Sequence, residues 1–211
     1  AAVKKIALSK NFLFGSRLQN GRIVHTVDAD QSGWSALCEA LPNSPVEELD
    51  VSDIGMGVKG VTSLAKATSS MAALTSLNCS SNAIGKVGSV APKDGAATDV
   101  PVETSVFAAV AGRWGRVKWI DDSKMVKLIW LDDGTESGYF KVSALNPVVS
   151  SREDLIEDYS HIEQLGRAIT RLSSLDISNC SFNPVSLATF TSSVTWAEAA
   201  LEVVNVLGAC P

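Results

Sequence analysis

One apolar pattern recurs along the chain at a fixed spacing, and this recurrence restricts the possible folds more than any other feature. The pattern V-x-x-L-x-V of residues 46–51 returns as L-x-x-L-x-C at residues 74–79, which is 74 − 46 = 28 residues later. Asn82 and Ile84 follow the second copy. Recurrence at about 20–50 residues is typical of arrays in which each repeat buries its apolar side chains against its neighbours. We therefore expect a repeat array.

Two further copies lie in the C-terminal part of the chain. Residues 172–182 read L-x-x-L-x-I-x-x-C-x-F, and residues 201–206 read L-x-x-V-x-V after an offset of 201 − 172 = 29 residues. Upstream, Leu18, Ile23 and Val27 are interpreted as a degenerate first coil, because the terminal repeats of such arrays are often atypical.

The copies resemble the L-x-x-L-x-L-x-x-N-x-L pattern of leucine-rich repeats, in the ribonuclease-inhibitor class with a period of 28 residues. Cys180 stands where the pattern has asparagine, a replacement that is common in this family. The resemblance implies an α/β fold in which parallel strands and helices alternate in a short solenoid. Apolar residues at helical spacing also predict helices near residues 34–41, 61–72 and 154–171.

A long insertion interrupts the array. The second and third copies begin 172 − 74 = 98 residues apart, which leaves 70 residues beyond one 28-residue period. We predict the first repeats within 1–87, a linker rich in Gly, Ala, Pro and Asp at 88–106, an inserted domain at 107–150, and C-terminal repeats at 151–211. Short apolar and aromatic segments around the D-D-G turn at 132–134 are typical of antiparallel strands.

The inserted segment resembles small all-β barrels of the SH3-like or Tudor-like kind, through its run G-R-W-G-R-V and the later V-K-L-I-W-L-D-D-G-T-E-S-G-Y-F. Barrels of this kind can bind methylated lysine or arginine in a cage of aromatic rings, through cation–π attraction of about 0.5–2 kcal/mol. The resemblance assigns the cage walls to Trp114, Trp130, Tyr139 and Phe140. The other interpretation is that these rings fill the small core of the barrel. The residues alone are compatible with both.

Charge and composition argue against two classes of function. The chain carries 18 Lys and Arg against 23 Asp and Glu, a net charge of −5, and residues 107–147 hold six basic and five acidic side chains. This balance gives no support for nucleic-acid binding. Apolar residues make up 45% of the chain, but no apolar run approaches the ~20 residues that span a bilayer. No transmembrane segment is therefore expected.

The cysteines and histidines form no metal-ligand pattern. Four cysteines lie far apart without any C-x-x-C spacing, and the chain has two histidines. No metal or cofactor is therefore expected, and buried free thiols are the simplest interpretation. Whether Cys180 and Cys210, on neighbouring copies, form a disulfide is left open. Neither His25 nor His161 lies beside a nucleophile motif, so no catalytic residue is assigned.

A glycine pattern, Gly55-x-Gly57-x-x-Gly60, follows one predicted strand and precedes a predicted helix, as in dinucleotide-binding proteins. In those proteins an acidic residue about 20 positions further on binds the ribose. Residues 61–92 contain neither Asp nor Glu. A tight turn between strand and helix is enough to explain the glycines, and a nucleotide-binding enzyme is kept as a disfavoured alternative.

The predicted parallel sheet has one open face, where polar side chains alternate with the inward apolar residues. On this face Glu48, Asp50 and Asp176 make the earlier copies polar and acidic, whereas Val203 and Leu207 make the last copy apolar. The open faces of repeat arrays are common docking surfaces, and exposed apolar side chains mark interaction sites. We therefore predict partner contacts on this face. The middle copies lack the Trp, Tyr and Arg side chains that usually dominate binding, so a solvated face without a partner is the other interpretation there.

Together these features predict a non-enzymatic interaction or scaffold protein that docks on a larger assembly of other proteins as a peripheral accessory subunit. The alternatives are a reader of methylated lysine or arginine and the disfavoured nucleotide-binding enzyme. The small residues Ala1-Ala2-Val3 are compatible with removal of a targeting peptide, in which case the assembly would be organellar, for example photosynthetic in an alga. The compartment itself stays open.

Overall fold

The fold is mixed α/β, with a parallel sheet and helices in one compact unit and a curled antiparallel half-barrel sheet in a second. The computed structural model describes residues 2–11, 13–15, 17–19, 22–24, 27–132 and 134–208, and of 17–19 and 22–24 it describes the backbone. We call Ala1–Lys86 with Tyr159–Pro211 the parallel-sheet unit, and Val87–Asp158 the inserted unit.

The two units together contain fourteen strands and four α-helices within the described ranges. In chain order they are β1 (Lys5–Ala7), β2 (Arg17–Gln19), β3 (Arg22–Val24), α1 (Ser32–Ala40), β4 (Glu48–Asp50), α2 (Val58–Ser69), β5 (Ser76–Asn78), β6 (Ser89–Pro92), β7 (Phe107–Val110), β8 (Arg113–Ile120), β9 (Met125–Trp130), β10 (Phe140–Lys141), β11 (Val148–Val149), β12 (Leu155–Asp158), α3 (Ser160–Ala168), β13 (Ser174–Asp176), α4 (Pro184–Ser193) and β14 (Val203–Asn205). Short 3₁₀ helices cover Val142–Ala144 and Arg152–Asp154.

The parallel sheet has the strand order β1-β4-β5-β13-β14. Equivalent positions of successive strands lie side by side, and the central column is apolar: Ile6, Leu49, Leu77, Leu175 and Val204. In the three middle strands this column is at most 2% exposed. Each strand has only three residues, and stacking on its neighbours buries the side chain that it directs inward.

The same turn follows every strand of this sheet. In the fourth residue after the central column, the backbone has a positive φ of 52° to 66° at Lys10, Asp53, Ser81, Asn179 and Gly208. One residue beyond the column, the side chains of four strands accept a hydrogen bond from the backbone N–H two residues on: Asp50, Asn78, Asp176 and Asn205. Asp and Asn favour such turns because their short side chains reach this N–H.

Asn82 and Cys180 have equivalent places in the core, as the sequence pattern predicts. The Asn82 amide donates to the carbonyl oxygen of Val51 at 2.9 Å, and its oxygen accepts from the backbone N–H of Met56 at 3.0 Å. One copy later, the Cys180 thiol donates to the carbonyl of Cys79, the residue equivalent to Val51, at 3.2 Å. Buried turns thereby keep their backbone groups hydrogen-bonded.

The first strand of the sheet is not the one that the repeat pattern predicts. Leu18 and Ile23 pair with each other in the antiparallel hairpin β2–β3, and the sheet begins at β1 instead. Residues 3–8 read V-x-x-I-x-L, but they precede the next copy by 46 − 3 = 43 residues, 15 more than the 28-residue period. The segment that carries the hairpin lies in this longer spacing. It therefore hides β1 from a search at a fixed period.

The helix predictions hold for α1 and α2, and that for α3 is wrong at its start. Trp34 of α1 is fully buried, and its indole N–H donates to the carbonyl of Gly60 at 2.9 Å. The prediction of helix from residue 154 fails because Leu155–Asp158 pair with Ser89–Pro92 as an antiparallel ladder. That ladder also gives regular structure to part of the segment 88–106, where the sequence predicts a linker.

The inserted unit contains a five-stranded antiparallel sheet in the order β10-β9-β8-β7-β11. Its two faces each carry an apolar cluster. One cluster contains Val117, Leu128 and Trp130, and the other contains Phe107 and Trp114. A register shift in β8 between Val117 and Trp119 interrupts the alternation of faces there.

Candidate functional site

The last strand of the parallel sheet exposes apolar side chains. Val203, Val204, Val206 and Leu207, which we call the terminal edge, are 58%, 36%, 41% and 78% exposed. Val204 stands in the apolar column whose middle members are buried, and it is exposed because β14 is the end of the sheet. The sequence prediction that Val203 and Leu207 are uncovered agrees with these values. Exposed apolar side chains clustered on one strand are typical of interaction sites.

The backbone of the terminal edge also has free hydrogen-bonding groups. On one side β14 pairs with β13, for example through the Ile177 N–H, which donates to the carbonyl of Asn205 at 2.9 Å. Within the described residues no acceptor meets the N–H groups of Val206 and Gly208. Such an edge is a template for one more strand.

The acidic residues predicted on the open face are engaged in local contacts. Glu48 forms an ion pair with Lys5 at 2.7 Å, and this hydrogen bond raises the pKa of Lys5. Asp50 accepts from the backbone N–H of Ser52 at 3.0 Å. Asp176 makes the equivalent turn and also accepts from the Asn205 amide at 3.2 Å. Both aspartates are half-buried and stabilise the turn after their strand.

The four aromatic residues predicted as cage walls do not come together at one place. Gly115 pairs with Trp130 across β8 and β9, so its neighbour Trp114 lies on the opposite face from Trp130. Trp114 and Trp130 are 5% and 7% exposed, in separate apolar clusters. Phe140 packs edge-on against Trp130 at 5.9 Å between ring centroids, and Tyr139 is 60% exposed.

The predicted residue Tyr139 pairs with an exposed aromatic residue that sequence reasoning missed, Trp119 of the inserted unit. Trp119 is 41% exposed and meets Tyr139 edge-on at 5.9 Å. The Lys127 ammonium lies 4.6 Å from the centre of the Tyr139 ring. Glu136 accepts a hydrogen bond from Lys118 beside this pair, and that bond lowers the pKa of Glu136. Strict alternation along β8 would put the side chains of Val117 and Trp119 on the same face of the sheet. Because the register shifts between these two residues, Trp119 lies on the opposite face from Val117.

The glycine loop encloses a carboxylate of the chain itself. Asp28 accepts hydrogen bonds from the backbone N–H groups of Gly57, Lys59 and Gly60 at 2.9, 2.8 and 3.2 Å, at the start of α2. A Cβ on Gly57 would lie 2.7 Å from an Asp28 oxygen. Helix N-termini favour anions, and here an aspartate fills that place. No sequence signal points to Asp28, because it lies about 30 residues before the loop.

Gly60 has a packing role of its own. A Cβ at this position would lie 2.6 Å from Met56 and 2.7 Å from the ring of Phe14, so α2 packs closely because the side chain is missing. Gly55 has a φ of 80°, which glycine adopts without strain. Tight packing and turning thus account for the pattern that resembles a dinucleotide fingerprint.

The thiols and histidines offer no reactive group in the part of the chain that the structure describes. Burial raises the pKa of Cys38 and Cys180 to about 12 and that of Cys79 well above its ordinary value, so the reactive thiolate is rare. His161 is 2% exposed, with Nε2 3.0 Å from the carbonyl oxygen of Ile84. His25 and Cys210, and with Cys210 the question of a disulfide to Cys180, lie outside the described residues.

Neither a metal cluster nor a membrane-spanning helix occurs in the same described ranges. No group of three or more His, Cys, Asp and Glu side chains is arranged there to hold a metal ion. No helix there is both long and apolar enough to cross a membrane.

Comparison of the chain with family models, with curated proteins and with solved structures gives no match.

Proposed function

We propose that this chain is a non-enzymatic interaction protein, a short leucine-rich-repeat solenoid with an inserted SH3-like barrel, which docks on a larger assembly as an accessory subunit. The observation that carries the proposal is the terminal edge, Val203 to Leu207, with exposures from 36% to 78% in apolar side chains. Association with a partner would bury this surface, and burial of apolar area stabilises a complex by about 25 cal/mol per Å² before its costs.

Three regularities support the solenoid. The strands pair in parallel without offset, the same positive-φ turn follows each strand, and Asn82 and Cys180 make equivalent core hydrogen bonds. In repeat proteins each repeat contacts its neighbours in the same way. The curled antiparallel sheet of the inserted unit supports the barrel in the same sense.

Co-purification with variants of the exposed surface tests the docking function. When the tagged full chain is purified under mild conditions from its source cells, it is expected to elute in an assembly much larger than 22.2 kDa. The double substitution Val203→Ser and Leu207→Ser should release it, because the substitutions remove apolar contact area. The control Ile156→Ser changes a residue of the inserted unit that is 53% exposed, and should leave the assembly intact. Elution of the unchanged chain as a free monomer would refute the docking function.

A second candidate function is recognition of methylated lysine or arginine by the inserted unit. One observation favours it: the ring of Tyr139, beside Trp119, already holds the ammonium of Lys127 at 4.6 Å. A methylated side chain would compete for the same ring face by cation–π attraction. Titration with a panel of methylated peptides, followed by indole NMR signals, should then shift Trp119 and leave the buried Trp114 unchanged. Equal spectra across the panel exclude this candidate.

A further inference from the structure

Each junction between neighbouring strands of the parallel sheet is flanked by the same set of backbone hydrogen bonds. Two successive N–H groups of the later strand donate to one carbonyl before the earlier strand, and two N–H groups after the earlier strand donate to carbonyls of the later one. At the β4/β5 junction these bonds are Thr75 N–H and Ser76 N–H to Glu47 O, Val51 N–H to Asn78 O, and Asp53 N–H to Ser80 O. The pattern holds from β1 to β14.

At each end of the sheet, one strand has hydrogen-bonding groups for which no neighbouring strand is present in the described residues. At the last strand the free groups are the carbonyl of Glu202 and the N–H groups of Val206 and Gly208, which are the positions equivalent to Glu47, Val51 and Asp53. These are one acceptor and two donors, spaced as every earlier strand spaces them. Nothing in the described residues pairs with them.

The first strand has the complement. Its free groups are the N–H groups of Lys4 and Lys5 and the carbonyls of Ala7 and Ser9, and within the described ranges none of them is hydrogen-bonded. These are the positions that face a preceding strand in β4, β5 and β13. Two donors and two acceptors thus match the opposite end of the sheet.

We infer that the partner of the terminal edge is a second copy of this chain, whose β1 adds in parallel to β14 and continues the sheet from one copy into the next. The inference rests on the proposed docking function and names its partner. The backbone N–H groups of Lys4 and Lys5 of the second copy donate to the Glu202 carbonyl. In return, the backbone N–H groups of Val206 and Gly208 donate to the Ala7 and Ser9 carbonyls of the second copy. A parallel strand addition of this kind is a known mode of recognition.

The side chains of the two ends are complementary as well. Continuing the observed register brings the apolar residues 201, 204 and 206 of one copy beside residues 3, 6 and 8 of the next, which read Val, Ile and Leu. Val3 is 61% exposed, and Ile6 and Leu8 are half-buried, so this end also has apolar surface to bury. The apolar columns would then run on through the junction.

Charge agrees with the same register. Lys4 already pairs across one strand junction with Glu47 at 2.5 Å. In the continued sheet its other neighbour is Glu202 of the preceding copy, the residue equivalent to Glu47. Because the contact joins two different ends, it is heterologous and produces a ring or an open chain of copies.

Sedimentation of the purified full chain with exchanged charges tests this inference. The wild-type mass should rise with concentration from 22.2 kDa to multiples of it. Glu202→Lys and Lys4→Glu, each alone, place like charges at the junction and should weaken association about fivefold or more. An equimolar mixture of the two variants brings opposite charges together wherever unlike copies meet, and should associate more strongly than either variant alone.

A second pair of variants tests the backbone contact. Val206→Pro removes the backbone N–H that would donate to a carbonyl of the second copy, so this variant should not associate. Val206→Thr keeps the N–H and should associate more strongly than the proline variant. A wild-type chain that stays at 22.2 kDa at every concentration overturns the inference, and so does a mixture that associates no better than its components. Neither result affects the docking function, which then requires a different protein at the same edge and is decided by co-purification.

Discussion

At the scale of single residues, two polar side chains, one buried and one half-buried, satisfy backbone atoms that no helix or strand satisfies. Asn82 is 4% exposed and bonds to both sides of the turn between β4 and α2, while Asp28 bonds to the first N–H groups of α2. The sequence predicts the place of Asn82, because Asn82 and Cys180 occupy the same position of the repeat pattern. It does not predict the contact of Asp28, which joins segments far apart in the chain.

Replacement of Asn82 by alanine should lower the free energy of unfolding by about 3 kcal/mol, because buried N–H and C=O groups lose their partners. The matched control is Asn78→Ala, which removes a single turn bond to Ser80 at a half-buried position and should cost about 1 kcal/mol. Chemical denaturation of both variants measures the difference. Equal losses would mean that the core position has no special weight.

The raised thiol pKa of Cys180, about 12 against an ordinary 9.0, makes stability depend on pH. The unfolded chain releases this proton above pH 9 and the folded chain keeps it, so its contribution is complete below pH 9 and is lost as the pH rises towards 12. At pH 10 the loss is about 1 kcal/mol. Chemical denaturation at pH 8 and pH 10 measures this loss. Between these two pH values, the free energy of unfolding should therefore decrease less for Cys180→Ala than for wild type.

At the scale of secondary structure, periodic side chains were predictable and irregular backbone was not. The apolar columns identify β4, β5, β13 and β14, since each strand repeats one inward position. Alternation fails at Trp119 because a register shift changes its face, and the helix expected from residue 154 gives way to β12 because β6 pairs with it. The exposure of Val203 and Leu207 was predictable, since both occupy outward-facing positions of the repeat pattern.

Gly85 tests the close approach of successive copies. A Cβ at this position would lie 2.4 Å from the Cα and 2.5 Å from the backbone nitrogen of Phe182, neither of which can move alone. Gly85→Ala should therefore destabilise the fold by about 1–3 kcal/mol. Gly33→Ala in α1 is the control, because a Cβ at Gly33 would have nothing within 4 Å. The higher helix propensity of alanine should stabilise the fold of this variant by up to about 1 kcal/mol. Melting temperatures that shift in opposite directions are expected, and two equal shifts would contradict this packing.

At the scale of the whole molecule, the inserted unit begins and ends at one place. The N–H of Gly88 donates to the carbonyl of Asp158 at 2.8 Å, next to the ladder of β6 and β12. An insertion whose ends meet can be accommodated in a surface loop without separating the flanking elements. This explains how the repeat register continues from β5 to β13 across 98 residues of sequence.

Removal of the inserted unit should therefore leave the parallel-sheet unit folded. Deletion of Val87–Asp158 removes 158 − 87 + 1 = 72 residues, and two glycines in their place restore a spacing of 98 − 72 + 2 = 28. We expect cooperative unfolding with a reduced denaturant dependence, because less surface becomes exposed. Loss of the cooperative transition would show that the unit depends on its insertion.

Amide hydrogen exchange of the full chain, free and in its native assembly, tests the docking function most directly. In the free chain the amides of Val206 and Gly208 should exchange rapidly, because nothing in the described residues accepts them. In the assembly, protection should appear in residues 201–208. Protection confined to the strands around Trp119 and Tyr139, with 201–208 exchanging as in the free chain, would contradict the docking role of the terminal edge.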